Sequence, residues 1–404
     1  GEGALTRLGN AKTAQEIQEM QEIQERHQSA AMQGVSHEKT ETQGMGTVVR
    51  PAGPNGEVPR PLRPFVPSWR RSTQFRRDEG FGILFGMEKV LITGGAGFIG
   101  ANLARRLLAD GHSVTILDDF YTGQRDNLAG LPVTLLEQDV REPIPGDYDW
   151  IFSLACPASP PHYQRDPLFT LTTSIDGIRR VLEAAERCGA RVLHASTSEV
   201  YGDPLVHPQP ETYWGHVNTL GIRSCYDEGK RAAEVFALEH RRARGTDVRL
   251  VRIFNTYGPF MDPKDGRVVS NFILQALRGE PITLYGDGGQ TRSFQFVDDL
   301  VAGFLAYMRA DKATLEAFFA SKGYAIPVLN MGNPGEFTVR QLAEEVLRQL
   351  PESKSELVTR PLPGDDPKRR KPNVSWAKEC LGWEPRIPLR DGLAKTIEYF
   401  RSFA

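Results

Sequence analysis

The segment Lys89–Gly100, "KVLITGGAGFIG", decides how the rest of the chain is read. It joins a continuous apolar run to a turn in which Gly94, Gly97 and Gly100 fall three residues apart. "FIGANLARRLLADG" then carries apolar residues at helical spacing and stops at Gly111, the residue type that closes a helix in a left-handed turn. Glycines between a strand and a helix permit a tight turn, close backbone approach and close helix–strand packing. The helix N-terminus then offers unpaired N–H groups and a positive dipole to a pyrophosphate. The next apolar run, "SVTILD", ends on Asp118, an acid suited to accept from an adenosine ribose. The pattern predicts a dinucleotide-binding turn over Gly94, Gly97, Phe98, Ile99 and Gly100. Asp118 and Asp119 would repel a 2′-phosphate, and "DDFYTG" holds no basic residue, so NAD is expected over NADP. Asp139, ending "LLEQD", is placed either to meet the adenine edge or to cap its own loop.

Outward from this segment the chain alternates strand and helix. "VTLLEQD", "DWIFSLA", "RVLHAST" and "VRLVRIFN" are short apolar runs separated by helical patterns, which predicts a parallel sheet covered on both faces. The expected fold is α/β, a doubly wound (Rossmann) domain over residues 87–254, followed by a smaller substrate-binding lobe over 255–404 that interleaves with it. Before Met87 the character differs. "QEIQEMQEIQERHQ" places Ile17, Met20 and Ile23 at a spacing that drifts off one helix face, and six prolines fall between Pro51 and Pro67. Residues 1–86 are therefore read as a mostly disordered extension, dispensable for function because "MEKVLITGG" is a natural domain start.

Composition narrows the class. The 404 residues are 40% hydrophobic and 25% charged with a formal net charge of -2, a soluble globular balance that points to neither nucleic acid nor membrane. Cys156, Cys188, Cys225 and Cys380 form no C-x-x-C pair, so reduced thiols, a cytoplasmic location and no metal site are expected. No apolar run is long enough to span a bilayer, and the first residues lack a signal core.

"STSEVYG" and "SCYDEGKRAAE" carry the chemistry. Tyr226 and Lys230 are i and i+4, one turn apart on one helix face. A phenol with a pKa of about 10 must be lowered to act as a base near neutrality. The lysine ammonium is expected to do this and to hold the nicotinamide ribose. Thr197 ends the strand "RVLHAST" and can bond the same substrate hydroxyl; Glu199, two residues on, would share its face along an extended strand. A hydride-transfer site is the expectation.

With "TGGAGFIG", "PASPPHY", "STSEVYGDP", "HPQPETYWGHVN", "CYDEGKR", "RIFNTYGP", "DGRVVSNFILQAL", "QTRSFQFV" and "KRRKPN", the chain from Met87 onward resembles the extended short-chain dehydrogenases/reductases that act on nucleotide sugars. Within them it is most similar to the branch that decarboxylates UDP-glucuronate to UDP-xylose. The resemblance implies that Tyr226, with Thr197 and Lys230, takes the proton from the sugar 4-hydroxyl as hydride passes to NAD. It gives Glu199 and Arg370 the handling of the carboxylate and of protonation at C5. It extends the cofactor set to Phe120, Thr122, Val140, Leu154, Thr173, Thr256 and Arg267. The substrate set it implies is Tyr163, Glu199, Asn255, Val269, Ser270, Asn271, Phe272, Tyr285, Gln290, Arg292 and Arg370. It also implies a homodimer, formed through the helices "PLFTLTTSIDGIRRVLEAAERCG" and the one that carries Tyr226.

Three features depart from the family pattern. Thr172 stands where many members carry a substrate-proximal lysine, Phe260 replaces an arginine of "GPRM", and "LEAFFASKGYAIP" is expected to enlarge a loop between the lobes. Sister activities are separable on sequence: a 4-epimerase needs no acid at Glu199, and a 4,6-dehydratase carries Asp followed by Glu there. A UDP-glucuronate 4-epimerase remains an alternative, and a catalytically silent NAD-binding scaffold is disfavoured by the intact Thr197, Tyr226 and Lys230.

Overall fold

The computed structural model describes residues 86–361 and 369–404, so the expectations for the N-terminal extension lie outside the described residues. The element that founds the sheet is β1, Lys89–Thr93, whose Val90, Leu91 and Ile92 are all buried. A strand with no polar face must be covered on both sides, which is the condition of a central parallel strand. The chain leaves it through the glycine turn into α1 (Phe98–Ala109) and returns as β2 (Ser113–Asp118). The outermost strand on this side, β3 (Thr134–Glu137), exposes three of its four residues, as an edge strand can.

On the other side β4 (Trp150–Ser153) pairs with β1, placing Phe152 beside Ile92. Two helices follow, α2 (Pro160–Arg165) and the long α3 (Pro167–Cys188), which begins with Asp166 capping Phe169 N and ends at left-handed Gly189. Next come β5 (Arg191–Thr197), α4 (Ser224–Arg244) and β6 (Val248–Ile253). The short β7 (Thr256–Tyr257) leads to α5 (Val268–Arg278), then β8 (Ile282–Tyr285), β9 (Thr291–Arg292) and β10 (Gln295–Phe296). Helices α6 (Val297–Arg309) and α7 (Lys312–Ser321) precede β11 (Val328–Met331). The chain closes with β12 (Phe337–Thr338), α8 (Val339–Gln349), β13 (Leu357–Arg360), β14 (Arg369–Arg370), α9 (Ser375–Leu381) and α10 (Leu389–Phe400).

The main sheet has seven parallel strands in the order β11-β6-β5-β4-β1-β2-β3. Strand order reverses between β1 and β4, and ligands of such sheets bind beyond the carboxyl ends at that reversal. Six predicted strands of this sheet form close to their expected limits; β11 is a strand that the sequence reading did not name. It carries the chain back from the C-terminal half to pair with β6.

The expected loop in "LEAFFASKGYAIP" is instead largely helix. Asp311 caps Thr314 N, and Leu315 and Phe319, four residues apart, bury their side chains. Phe319 and its neighbour Phe318 pack edge-on against Trp376 of α9. Apolar residues at i and i+4 make one face, and burying that face makes the insertion a helix rather than a loop.

Candidate functional site

Every main-sheet strand from β1 to β6 delivers a residue to one cavity of about 770 Å³ at the carboxyl edge. Gly94 follows β1, Asp118 ends β2, Val140 follows β3, Leu154 follows β4, Thr197 ends β5 and Asn255 follows β6. The sheet thus converts a sequence-wide set of strand ends into one rim.

At one end the wall is backbone. A Cβ on Gly100 would lie 2.5 Å from the Gly94 carbonyl oxygen, and one on Gly94, at φ +71, would meet Ala155 Cα at 2.8 Å. Those contacts hold the turn tight. Gly97 is the N-cap of α1, no side chain caps that end, and the first turn has no acid. Its first N–H groups therefore face the cavity with the helix dipole behind them, the arrangement that holds a pyrophosphate. Asp118 is buried and accepts from Ala96 N at 2.8 Å and Phe120 N at 2.9 Å. Burial raises its carboxyl from the ordinary value, with these two N–H groups opposing the rise. Arg125, on the same loop, is paired with Glu137 at 2.5 Å and rests on the Phe120 ring, so the Asp118 region stays acidic. These residues fit a dinucleotide with an unmodified adenosine ribose.

The other end is a cluster of side chains. Thr197 closes β5, and the chain turns at once into a 3-10 helix, Ser198–Tyr201. The expectation that Glu199 continues an extended strand is thus corrected. Thr197 Oγ1 accepts from Glu199 N at 3.2 Å, and this turn aims both side chains into the cavity. Tyr226 and Lys230 line the same wall from α4, as their spacing predicts. Lys230 Nζ donates to Ala195 O at 2.8 Å, tying the helix to β5. The Tyr226 ring stacks on Tyr163, with ring centroids 5.1 Å apart and planes within 7°, and its phenol shares the cavity wall with Thr197.

The expected lowering of Tyr226 by Lys230 is not what this arrangement does. Burial drives the phenol upward, with Cys156 and Glu199 adding to the rise, while Thr197 and Arg267 pull it down. The Lys230 ammonium is anchored by Ala195 O and keeps two further N–H donors.

Glu199 is gripped by two guanidinium groups. Arg370 Nη1 and Arg223 Nη2 each donate to one of its oxygens. Burial alone would raise this carboxyl, but Arg370, Arg223 and Arg292 outweigh it and hold it below the ordinary glutamate value. Arg370 is not in a solvated loop: β14 pairs with β9 and buries it, with Nη2 donating to Gly202 O at 3.3 Å. Its Nε and the Tyr163 hydroxyl are buried without a hydrogen-bond partner among the described residues. Asp227, one residue past Tyr226, lies with Oδ2 4.0 Å from Arg223 Nε. Its carboxyl is pushed up to about 7, first by burial and then by the charge of Glu199.

Most other expected residues border the cavity as well: Phe98, Ile99, Asp119, Thr122, Thr173, Thr256, Arg267, Val269, Asn271, Phe272, Tyr285, Gln290 and Arg292. Three do not. Asp139 caps its own loop, binding Arg141 through its backbone N–H at 2.8 Å and its guanidinium at 2.6 Å. Phe120 takes φ +59 and turns its ring under Arg125. Ser270 donates to Asp265 Oδ1 at 2.6 Å inside the first turn of α5. Thr172 also stays outside, accepting from Arg141 Nη1 at 3.0 Å, whereas Phe260 does line the cavity. The sequence reading overlooked Arg223. Its spacing three residues before Tyr226, on the face that i and i+3 share, was the available signal.

The comparisons agree with this geometry. Residues 90–318 match the NAD dependent epimerase/dehydratase family. UDP-glucuronic acid decarboxylase 1 of Arabidopsis thaliana is 49% identical over 318 residues, covering 78% of this chain and 70% of that protein. Among solved structures, the UDP-glucose 4-epimerase of Thermotoga maritima with UDP-glucose has a TM-score of 0.69 at 30% identity, covering 78% of this chain and 99% of the other. The UDP-glucose 4-epimerase of Thermus thermophilus in complex with NAD has a TM-score of 0.67 at 26% identity, covering 78% and 100%. The chain belongs to the NAD-dependent epimerase/dehydratase family, the extended short-chain dehydrogenases/reductases, and within it is similar to the UDP-glucuronic acid decarboxylases.

Proposed function

We propose that the protein converts UDP-glucuronate to UDP-xylose and CO2 with NAD used catalytically. The observation that carries this reading is Glu199, gripped by Arg370 and Arg223, in the same cavity as Thr197 and Tyr226. Epimerisation of a neutral sugar needs no such ion cluster, whereas a substrate carboxylate needs cations to offset Glu199 when it binds, and its loss needs a proton at the carbon left behind.

NAD, when bound against the glycine turn and Asp118, supplies a reversible two-electron sink for sugar C4. Tyr226 accepts the 4-hydroxyl proton while Thr197 bonds the same oxygen. A ketone at C4 makes the C6 carboxylate a β-keto acid. The C5–C6 bond then breaks as CO2 leaves, and its electron pair passes into the C4 oxygen as an enolate. Glu199 and Arg370 stand at the carboxylate, and they orient the water from which C5 takes the proton that replaces CO2. Tyr226 returns its proton to O4 as the ketone is reduced. The assignment of Arg292 to the pyrophosphate rests on its forked guanidinium and its position on the cavity wall.

We also take the enzyme to work as a homodimer through α3 and α4, a reading supported by Leu168 and Val235, which those helices leave exposed. A cytoplasmic location is supported by four unpaired cysteines.

The test is incubation of the purified protein with UDP-glucuronate and no added cofactor. CO2 together with UDP-xylose establishes the reaction and shows that NAD is retained through the cycle. UDP-galacturonate without CO2 identifies an epimerase. No product, with NAD added as well, rejects both.

A further inference from the structure

We propose that Arg223 is the residue that makes this cavity accept an acidic sugar rather than a neutral one. The inference rests on the decarboxylase reading above and adds to it the group that reads the substrate's charge. Glu199 is an anion inside a cavity meant to receive a second carboxylate, and two like charges at contact distance oppose each other strongly where water is sparse. The two guanidinium groups that bind Glu199 remove that repulsion, but they are mounted differently. Arg370 is locked into β14, 6% exposed, and spans Glu199 and Gly202 O. Arg223 is the N-cap of α4, its side chain 20% exposed, next to Ile222, which borders the cavity and is 67% exposed. It is therefore the more accessible of the two arginines and borders the cavity beside Glu199.

Its surroundings point to a carboxylate. Arg223 acts electrostatically on Tyr163, whose hydroxyl is buried and lacks a hydrogen-bond partner. Arg370 Nε, on the same cavity wall, is a second buried donor without an acceptor. Two guanidinium groups thus meet at Glu199 with a buried Arg370 N–H beside them, and a ligand carboxylate brings an anion with two acceptor oxygens to that cationic wall. A neutral hydroxymethyl group brings one uncharged oxygen and leaves part of that demand unmet.

Asp227 backs the arginine. It sits one turn along α4 with Oδ2 4.0 Å from Arg223 Nε, and its Oδ1 is buried without a partner. The charged and titratable groups acting on Asp227 are Glu199 from the 3-10 turn, Arg223 and Glu228 from its own helix, and Arg370 from β14; Tyr163 of α2 and Cys225 of α4 also feel its charge. A ligand carboxylate on Arg223 adds one more negative charge to this set, next to Asp227 as well as Glu199.

The test is calorimetric titration of holoenzyme carrying Tyr226→Phe, which slows turnover, with UDP-glucuronate, UDP-glucose and UDP. This parent should prefer UDP-glucuronate. Adding Arg223→Gln should weaken UDP-glucuronate about tenfold or more, with UDP-glucose and UDP unchanged within about twofold. Arg223→Lys, which keeps the charge and loses the fork, should recover part of the preference and carries the test if the glutamine variant does not fold. An undiminished preference in Arg223→Gln, or an equal loss for all three ligands, overturns the role of Arg223 and leaves the decarboxylase reading standing. A Tyr226→Phe parent that does not prefer the acidic sugar overturns that reading and the inference together.

Discussion

The two ends of the cavity are built by different means. At the glycine end a single short stretch makes the turn, the helix start and most of the wall, and its precision comes from backbone contacts that leave no room for a Cβ. At the sugar end Thr197, Glu199, Tyr226, Lys230 and Arg370 come from separate parts of the chain, and the geometry is fixed by ion pairs and stacked rings. One end depends on shape and local chain, the other on charge balance across distant parts of the sequence. Substitutions should therefore fail differently at the two ends.

The largest expected effect is at the sugar end. Tyr226→Phe removes the hydroxyl placed to take the 4-hydroxyl proton, and CO2 release should fall about 10³-fold or more. Thermal denaturation should show the fold retained, since the Tyr163 stacking survives the change. A loss below about tenfold would move the base to another residue.

At the glycine end Gly100→Ala should damage stability and cofactor retention together. Its methyl must displace the Gly94 carbonyl and Gly95 Cα, at 2.5 and 2.6 Å, and overpacking of this kind costs about 1–3 kcal/mol. Denaturant unfolding and the NAD content of purified protein would measure the two losses. A variant that keeps full stability and loses only NAD would show that the turn is looser than its contacts imply.

pH separates the ends further. Asp227 has a folded pKa of about 7, above the ordinary carboxyl value, so the folded state binds more protons than the unfolded one between those limits. Its contribution to stability is therefore lost as pH rises toward and past 7. Glu199 lies on the opposite side: lowered by its arginines, it stabilises above the ordinary glutamate value and loses that effect as pH falls through its folded one. Asp227→Asn should flatten the fall in melting temperature between about pH 5 and pH 8. Glu211, also pushed up to about 7 by burial, titrates in this window and leaves a residual slope in the variant. An unchanged slope would mean that Asp227 is already ionised in the fold.

The smallest effect should come from a residue that the sequence made a candidate. Asp139→Ala should change NAD affinity by less than about twofold, because its carboxylate serves Arg141, whereas Asp118→Ala should weaken it about tenfold or more. Comparable losses in the two variants would place Asp139 back at the adenine.

The sequence by itself determined the founding strand and glycine turn, the acid at Asp118, and the pairing of Tyr226 with Lys230. Each is encoded in residues a few positions apart, and local spacing sets which face or turn they occupy. It also located most strands of the parallel sheet, because a strand buried on both faces has no choice but to be continuously apolar. What only the tertiary structure decided is what depends on distant partners. In sequence Arg370 is one of four consecutive basic residues, and only the pairing of β14 with β9 buries it beside Glu199. Arg223 gains its importance from the same carboxylate. The packing of α7 could not be read either, since Phe318 and Phe319 meet Trp376 of α9, an element far along the chain. The upward shift of Tyr226 likewise follows from burial, with Cys156 and Glu199 adding to it. Burial and charge are properties of an assembled site, and no short window of sequence contains them.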